Sequence, residues 1–421
     1  PLMSSQILEV LFNLSDVAIV GKYAGYIPLG SVGSTTLLVS LFTGFLIGMG
    51  GGVNVRVAHK LGVGDAKGTE ETVHTAALIC LIAGLILCLI CNIFAEPFLN
   101  ILHTKSEFMD GAVLYFRIYA LGLPALAIYN FGNGVLSASG ETKLPLIYLS
   151  IAGVLNVLLN LFFVIQCNMA AGGVAIASVI AQYVSAILVV SHLCRRKDSC
   201  RLYFSRLRFH KEAAKSVLML GVPGGMQNAI FAIANLFVQT GVNSFDAVMV
   251  SGNSAAINAD TLIFNIMTAF YTACASFMGQ NMGAGNRERM IKSYRISLLY
   301  SFLAGAIFGG LLVVFGRQFL SLFASKPEVI EAGMERIKIM GFSAFMDCTI
   351  AASRGIGKSI VPTIIVIMGS CVFRVIWVYT IFAYFGTIAS LYLLYAFSWS
   401  ITAIAEIIYF KVCFRKLRIA A

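Results

Sequence analysis

Charge is what this sequence has least of. Asp, Glu, Lys and Arg make up 12% of the 421 residues, while 59% are hydrophobic. A soluble domain carries about 25% charge, so a fully solvated fold is excluded. The apolar runs are continuous over about 20 residues, the length that crosses a bilayer core. They lack the ten-residue alternation of a membrane β-barrel. The ten cysteines include no CxxC with a partner pair, which argues against both a zinc site and a disulfide framework. Several (Cys80, Cys88, Cys91, Cys274, Cys348, Cys371) sit within apolar runs, where they read as packing. No ATP site is present. Gly357-Lys358-Ser359 imitates the end of a phosphate-binding loop, but Ala352 stands where that loop needs glycine. His59, His74, His103, His192 and His210 are scattered near loops and read as surface or interfacial. With no clustered nucleophile, metal ligands or acid–base pair, the chain reads as a non-enzyme. It starts at Pro1 inside a hydrophobic segment, with no charged n-region. That is not a signal peptide; a short N-terminal tail is read as missing.

What is there is an all-α integral membrane chain with twelve expected spans: 1–20, 29–55, 73–95, 111–137, 144–166, 171–194, 216–242, 250–278, 293–315, 330–352, 360–384 and 387–410. The longest polar stretch, Arg195 to Lys215, divides them six and six. The two halves repeat. Phe12-Asn13-Leu14 matches Ala234-Asn235-Leu236 at an offset of 222, as Pro1 matches Pro223. Leu61-Gly62-Val63-Gly64-Asp65 matches Met282-Gly283-Ala284-Gly285-Asn286 at 221. Gly140-Glu141-Thr142-Lys143-Leu144-Pro145 matches Gly357-Lys358-Ser359-Ile360-Val361-Pro362 at 217. An even number of spans per half makes these parallel repeats, a transporter architecture. The expected organisation is an N-terminal lobe over 1–194, a basic cytoplasmic linker over 195–215 and a C-terminal lobe over 216–421. With the N-terminus inside, 22 of the 30 Lys and Arg fall in cytoplasmic regions and 7 outside, Arg336 and Lys338 among the latter. This excess predicts both termini in the cytoplasm. The net charge of +11 is thus accounted for by orientation rather than by nucleic acid.

Ionisable residues within spans are costly and mark function by default. They are Glu9, Asp16, Asp260, Asp347, Arg374 and Glu406. Glu9 and Asp16, seven apart, share one helix face, which suits a proton-coupled step. Arg374 needs a partner, with Asp347 and Asp260 as candidates; a static ion pair and a transport role fit equally. Glu406, about one turn from Lys411, reads as interfacial. Asn156 and Asn160 share a face of the fifth span, and Ser178 and Gln182 a face of the sixth. Beside a carboxylate, these neutral groups suit Na⁺ or a protonated acid. Interhelical hydrogen bonding worth about 0.6–2 kcal/mol explains the spacing as well. The glycine cluster Gly44, Gly48, Gly50, Gly51 and Gly52 permits close packing or bending, and Pro124 a kink.

Several segments in order resemble the MATE family, the multidrug and toxic compound extrusion transporters. They are Asn13-Leu14-Ser15-Asp16 with Gly21, Gly62-Val63-Gly64-Asp65, and Gly122-Leu123-Pro124 with Gly140-Glu141-Thr142-Lys143-Leu144-Pro145. Gly173-Val174-Ala175-Ile176-Ala177-Ser178 and Arg354-Gly355-Ile356-Gly357 complete the set. The resemblance covers essentially the whole chain. It implies two six-helix lobes facing a central cavity, and export of organic, often cationic, compounds in exchange for H⁺ or Na⁺. In one branch the coupling site joins the first-span aspartate, matched by Asp16, to an Asn and an Asp of the fifth span and a Thr of the sixth. Asn156 matches the Asn, Asn160 replaces the Asp, and Ser178 stands at the Thr. The replacement removes one negative charge and leaves Asp16 as the main titrating group of a proton or Na⁺ site. A NorM-like branch also uses acids of the seventh and tenth spans. Here the seventh carries Gln227 and Asn228 instead, so the resemblance is closer to the DinF-like side. Glu9, Gln182, Gln227, Asn228, Asp260, Asp347 and Arg374 form a secondary polar or substrate set. No cofactor beyond the coupling ion is implied. The partners are a small organic substrate and the lipid of a plasma (inner) membrane, with no nucleic acid, and the chain is expected to be a monomer. The competing reading is a lipid-linked oligosaccharide flippase of the same broad superfamily.

Overall fold

The computed structural model describes residues 16, 19–24, 26–102, 104–321, 326–343 and 349–417. Glu9, His103 and Asp347 lie outside the described residues, as do most of the span expected over 1–20 and part of that over 330–352. In hydrocarbon every backbone polar group must be satisfied within its own segment, and the described residues are accordingly almost all helical. They form α1 (Tyr26–Val63), α2 (Ala66–Ile93), α3 (Ala95–Ile101), α4 (Ser106–Ala120), α5 (Leu123–Ala138), α6 (Lys143–Gln166) and α7 (Ala170–Arg195). There follow α8 (Lys211–Val242), α9 (Ala247–Gly283), α10 (Arg287–Leu320), α11 (Pro327–Ser343), α12 (Thr349–Gly355), α13 (Ile360–Phe385) and α14 (Ile388–Lys416). Among the described residues nine helices are long and apolar enough to cross a membrane, and the pair α4–α5, bent by 44°, makes a tenth. The remaining two of the twelve expected spans run over residues outside the description. The bend falls at Leu121–Gly122, and Pro124 lies in the first turn of α5, where a missing N–H costs nothing.

The chain divides into two compact units, Pro1–Ala229 and Ile230–Ala421, the division falling within α8. In the first unit Leu38, Phe42, Leu46, Met49, Val73, Phe116, Phe131 and Leu193 form the main core, joining α1, α2, α4, α5 and α7. Glycines of α1 serve two helices. Toward α8, a Cβ on Gly48 would lie 2.5 Å from the Gly225 Cα, and one on Gly52 2.5 Å from the Gly221 Cα. The two backbones are in direct contact there, as small residues allow in membranes. On another face Gly50 approaches Asn130 of α5. The glycine cluster is therefore a packing device, and α1 runs through it unbroken.

The segment after α7 is pinned to this unit. Cys200 and Leu202 are buried in its core. The histidine expectation fails at His74, which is 1% exposed. Its Nδ1 donates to the Glu70 carbonyl (2.7 Å) and its Nε2 accepts the Tyr203 N–H (3.0 Å). One donor and one acceptor are the inventory of a neutral imidazole, so this ring holds the connector onto α2.

Two apolar clusters of the second unit lie among the described residues. Ala256, Ile263, Met267, Leu312, Leu320 and Ile337 join α9, α10 and α11. Val238, Met340, Trp377, Leu391 and Tyr392 join α8, α11, α13 and α14.

The repeat is visible in the turns. Gly64 and Gly285 have φ of 76° and 69°, Gly140 and Gly357 85° and 79°. Each closes a helix with the same two bonds. Gly64 N–H donates to Leu61 O and Asp65 N–H to Lys60 O; Gly285 donates to Met282 and Asn286 to Asn281. Gly140 and Gly357 repeat the pattern. This is the Schellman arrangement, whose left-handed residue favours glycine. Gly357 therefore ends a helix instead of cradling phosphate. The wide π turns Phe162–Gln166 and Val378–Phe382 also lie at corresponding places in the two halves.

Candidate functional site: opposed polar clusters in two units

In the first unit, α6 is polar inside and apolar outside. Pro145, Ala152, Gly153, Asn156 and Asn160 form its buried stripe, while Ile147, Ile151, Val154 and Leu158 are exposed. The small residues Gly172, Gly173, Ala175, Ala177 and Ser178 line the buried face of α7, so the two helices approach closely. Asn160 is fully buried. Its Nδ2 donates to the Asp16 carboxylate and, at 3.2 Å, to Asn156 Oδ1. Asn156 Nδ2 donates to Ser178 Oγ at 3.3 Å. The Ser178 hydroxyl is the second polar group facing Asp16. Around this chain of polar groups pack Ile19, Val20, Val32, Tyr115, Val164, Ala171 and Val174, with Tyr119 stacked on Tyr115 at 5.9 Å. Asn160 Oδ1 is buried with no hydrogen-bond partner among the described residues. An acceptor left bare in an apolar setting costs about 1–3 kcal/mol. It would be satisfied by an acid proton or a small cation.

Asp16, Asn156, Asn160 and Ser178 are thus brought together. The other polar residues expected nearby serve elsewhere. Gln182, one turn beyond Ser178, turns its Oε1 to Gly122 at the α4–α5 bend, where no Cβ would fit. Asn228 Nδ2 donates to the Gly44 carbonyl at 3.0 Å, tying α8 to α1. Gln227 is buried.

In the second unit the pairing of Arg374 with Asp260 is not found. Asp260 binds Arg336 of α11 instead, accepting from Nε at 2.7 Å and lying 2.6 Å from Nη2. Arg336 Nη1 donates to Asn253 Oδ1 (2.7 Å), which also accepts from the Tyr392 hydroxyl (3.1 Å). The reason is direction: Arg336 and Asp260 face each other across the packed α9 and α11, and Arg374 stands farther off behind Tyr395. The orientation count had placed Arg336 outside, but it is 5% exposed. The available signal was its position within the expected span 330–352. Arg374, 2% exposed, donates from Nη1 to Asn235 Oδ1 (3.1 Å) and from Nε to Ser398 Oγ (3.4 Å). Its guanidinium carbon lies 4.6 Å from the Tyr395 ring centre, 5.4 Å from Phe231 and 5.9 Å from Trp399. Glu406, expected at the interface, is 1% exposed because the inner face of α14 continues past it to Phe410 and Phe414.

The MatE family model matches this chain twice, over residues 1–162 and 223–380, the spacing of the internal repeat. The chain is 27% identical over 345 residues to a probable multidrug resistance protein, YpnP, of Bacillus subtilis, covering 81% of this chain and 76% of that protein. It is 23% identical over 379 residues to a probable multidrug resistance protein NorM of Thermotoga maritima, covering 87% and 80%. The fold superimposes on the outward-facing conformation of a multidrug resistance MATE family transporter of the MOP superfamily with a TM-score of 0.91, over 99% of this chain and 94% of that one, at 20% identity. A duplicated membrane bundle matched by one family model in both halves is a multi-pass transporter, and the chain belongs to the MATE family.

Proposed function

We propose that this MATE protein is a secondary antiporter that exports organic amphipathic compounds, cationic ones in the simplest case, in exchange for H⁺ or Na⁺, through the Asp16 cluster. The observation that carries this is the Asp16–Asn160–Asn156–Ser178 chain, a half-buried carboxylate that forms no ion pair among the described residues. Such a group is costly in a membrane unless something binds it. A proton supplies the missing charge with one bond. Na⁺ would draw on the same oxygens, with the bare Asn160 Oδ1 added. With one carboxylate instead of two, proton coupling is the reading we favour.

Alternating access follows if ion and substrate bind the two conformations unequally. Asp16 ionised and facing the cytoplasm favours loading of a cationic solute. Protonation from outside rearranges the bonds to Asn160 and Ser178, shifts the first span and favours release. The seventh span offers no acid, so we assign coupling to the first half, as in the DinF-like branch, although the curated relatives carry the names NorM and YpnP. The lobes we propose are 1–194 and 216–421 joined by the basic connector, with both termini cytoplasmic and the protein working as a monomer in the plasma membrane.

The test is dye efflux from vesicles carrying the parent or Asp16→Asn, with Na⁺ and pH gradients imposed separately. Efflux of an organic cation by the parent alone, driven by a pH gradient alone, is expected. Equal efflux by the variant would sink the assignment to Asp16. A strict Na⁺ requirement would convert the coupling ion but keep the site.

A further inference from the structure

We propose that Arg374 and the rings around it bind the anionic group, a carboxylate or phosphate, of an aromatic solute; the proposal rests on the transporter reading and extends its amphipathic substrates to aromatic acids. Arg374 is among the most deeply buried large side chains of the protein. A guanidinium has five N–H donors and keeps its charge in proteins. Two of its nitrogens have partners, the neutral Asn235 and Ser398. Nη2 is buried with no hydrogen-bond partner among the described residues, and none of the described carboxylates forms an ion pair with Arg374.

The neighbouring charges do not cancel it. Tyr395 lies between two guanidiniums, 4.6 Å from Arg374 and 5.1 Å from Arg336. Asp260 is committed to Arg336 through two nitrogens. Among the described residues Arg336 therefore has a carboxylate partner and Arg374 has none. Ring faces attract a cation by about 0.5–2 kcal/mol, far less than burial of an unpaired charge costs. A planar guanidinium with a spare edge is suited to bidentate recognition of carboxylate or phosphate. Phe231, Tyr395 and Trp399 supply flat apolar surface beside it, which selects an aromatic body for the bound acid.

Access is available on one side. Asn235 is exposed, and Phe231 and Trp399 are partly exposed. Asn235 corresponds to Asn13 in the repeat, and α8, α13 and α14 correspond to the first, fifth and sixth spans, which carry Asp16, Asn156, Asn160 and Ser178. The second half thus has a polar cluster on the same three spans with the opposite sign of charge.

Trp399 is one of two tryptophans and a built-in reporter. The purified chain in detergent, with no gradient, would be titrated with iodide, and separately with caesium, while tryptophan emission is read. Iodide quenching with a saturable component is expected. Benzoate and phenyl phosphate should compete with it; uncharged benzamide should not. Arg374→Gln should weaken the anion by about tenfold or more, the value of a charge-assisted hydrogen bond. Should Arg374→Gln fail to fold, Asn235→Asp replaces the external anion with an internal one. It should abolish competition and raise thermal stability. Competition by free halide or phosphate but not by the aromatic acids would overturn the organic-solute assignment. Quenching by caesium equal to that by iodide, or competition unchanged in Arg374→Gln or Asn235→Asp, would overturn the site. The titration is made without a gradient and reads binding alone, whereas efflux reads coupling, so failure of coupling and failure of this site are read separately.

Discussion

The clusters that hold Asp16 and Arg374 are built on corresponding spans of a duplicated chain, yet the two charges are held in different ways. Asp16 rests on Asn160, which leans on Asn156, which leans on Ser178: neutral groups around a single negative charge. Arg374 sits among rings and neutral oxygens, with a second guanidinium close by that has its own carboxylate. One duplication therefore supplied two buried pockets on the same helical frame, and side-chain replacement gave them opposite charge. The first lacks what an acid proton or cation provides, and the second what an anion provides. The surrounding helices and turns are shared, so fold and polarity varied independently.

The largest expected effect separates the two buried acids, Asp16 and Asp260. Asp260→Asn leaves the Arg336 guanidinium without its carboxylate. Removing one partner of a buried pair costs about 3–5 kcal/mol, so a fall of that size in unfolding free energy is expected, read by denaturant titration in detergent. Asp16→Asn removes a charge that has no cation beside it, so stability should hold or rise while gradient-driven efflux disappears. Equal destabilisation by the two variants would erase the distinction between the clusters. The double variant Asp260→Leu with Arg336→Met should recover most of the loss, since apolar replacement of both partners is often near neutral.

Next in size is the glycine contact that the first unit uses to seat α8 on α1. Gly52→Ala places a Cβ 2.5 Å from the Gly221 Cα. Overpacking of this kind costs about 1–3 kcal/mol. Gly51→Ala, one residue away, meets nothing within 4 Å and should leave the melting temperature unchanged. In the second unit Gly341→Ala, whose Cβ would lie 2.9 Å from Val313 and 3.0 Å from the Gly309 carbonyl, should behave like Gly52→Ala if both halves rely on close helix approach.

The smallest effect concerns the matching caps. Asn286 accepts the Arg289 N–H at 2.9 Å, and Asp65 the Gly68 N–H at 2.8 Å. Asn286→Ala should cost about 1 kcal/mol. Asp65 differs by titrating. The bond from Lys60, then that from the Gly68 amide, hold its pKa below the ordinary carboxylate range. A carboxylate favoured in the fold adds stability above its unfolded value, about pH 3.9. That contribution is lost as pH falls through the lower folded value. Hydrogen exchange at Gly68 should therefore accelerate only under acid conditions, while exchange at Arg289 keeps its ordinary pH dependence. Protection that is insensitive to acid at Gly68 would mean the cap is carried by the backbone alone.

Much of the first-half cluster was legible beforehand, and the reason is local. Asn156 and Asn160, four residues apart in an apolar span, must share one face, and the resemblance of the Asp16 segment named the third partner. Arg336 escaped because it was counted with the loops, where most arginines of a membrane chain lie. Asp260, one of two candidate partners for Arg374, pairs with Arg336 instead, because spacing along a helix says nothing of which neighbouring helix it faces. His74 was missed for a similar reason: its burial is created by Tyr203 and the connector, 129 residues away.

The sequence by itself determined the membrane class, the duplication, the helix ends at Gly64, Gly140, Gly285 and Gly357, and the shared face of Asn156 and Asn160. These follow from composition, periodicity and backbone sterics, all of which act within a few residues. Tertiary structure alone decided the partners: Asp260 with Arg336, Arg374 among rings, and Gly48 and Gly52 against the backbone of α8. In each case residues far apart in the chain meet, and buried charge or close contact has a strength set by what packs beside it.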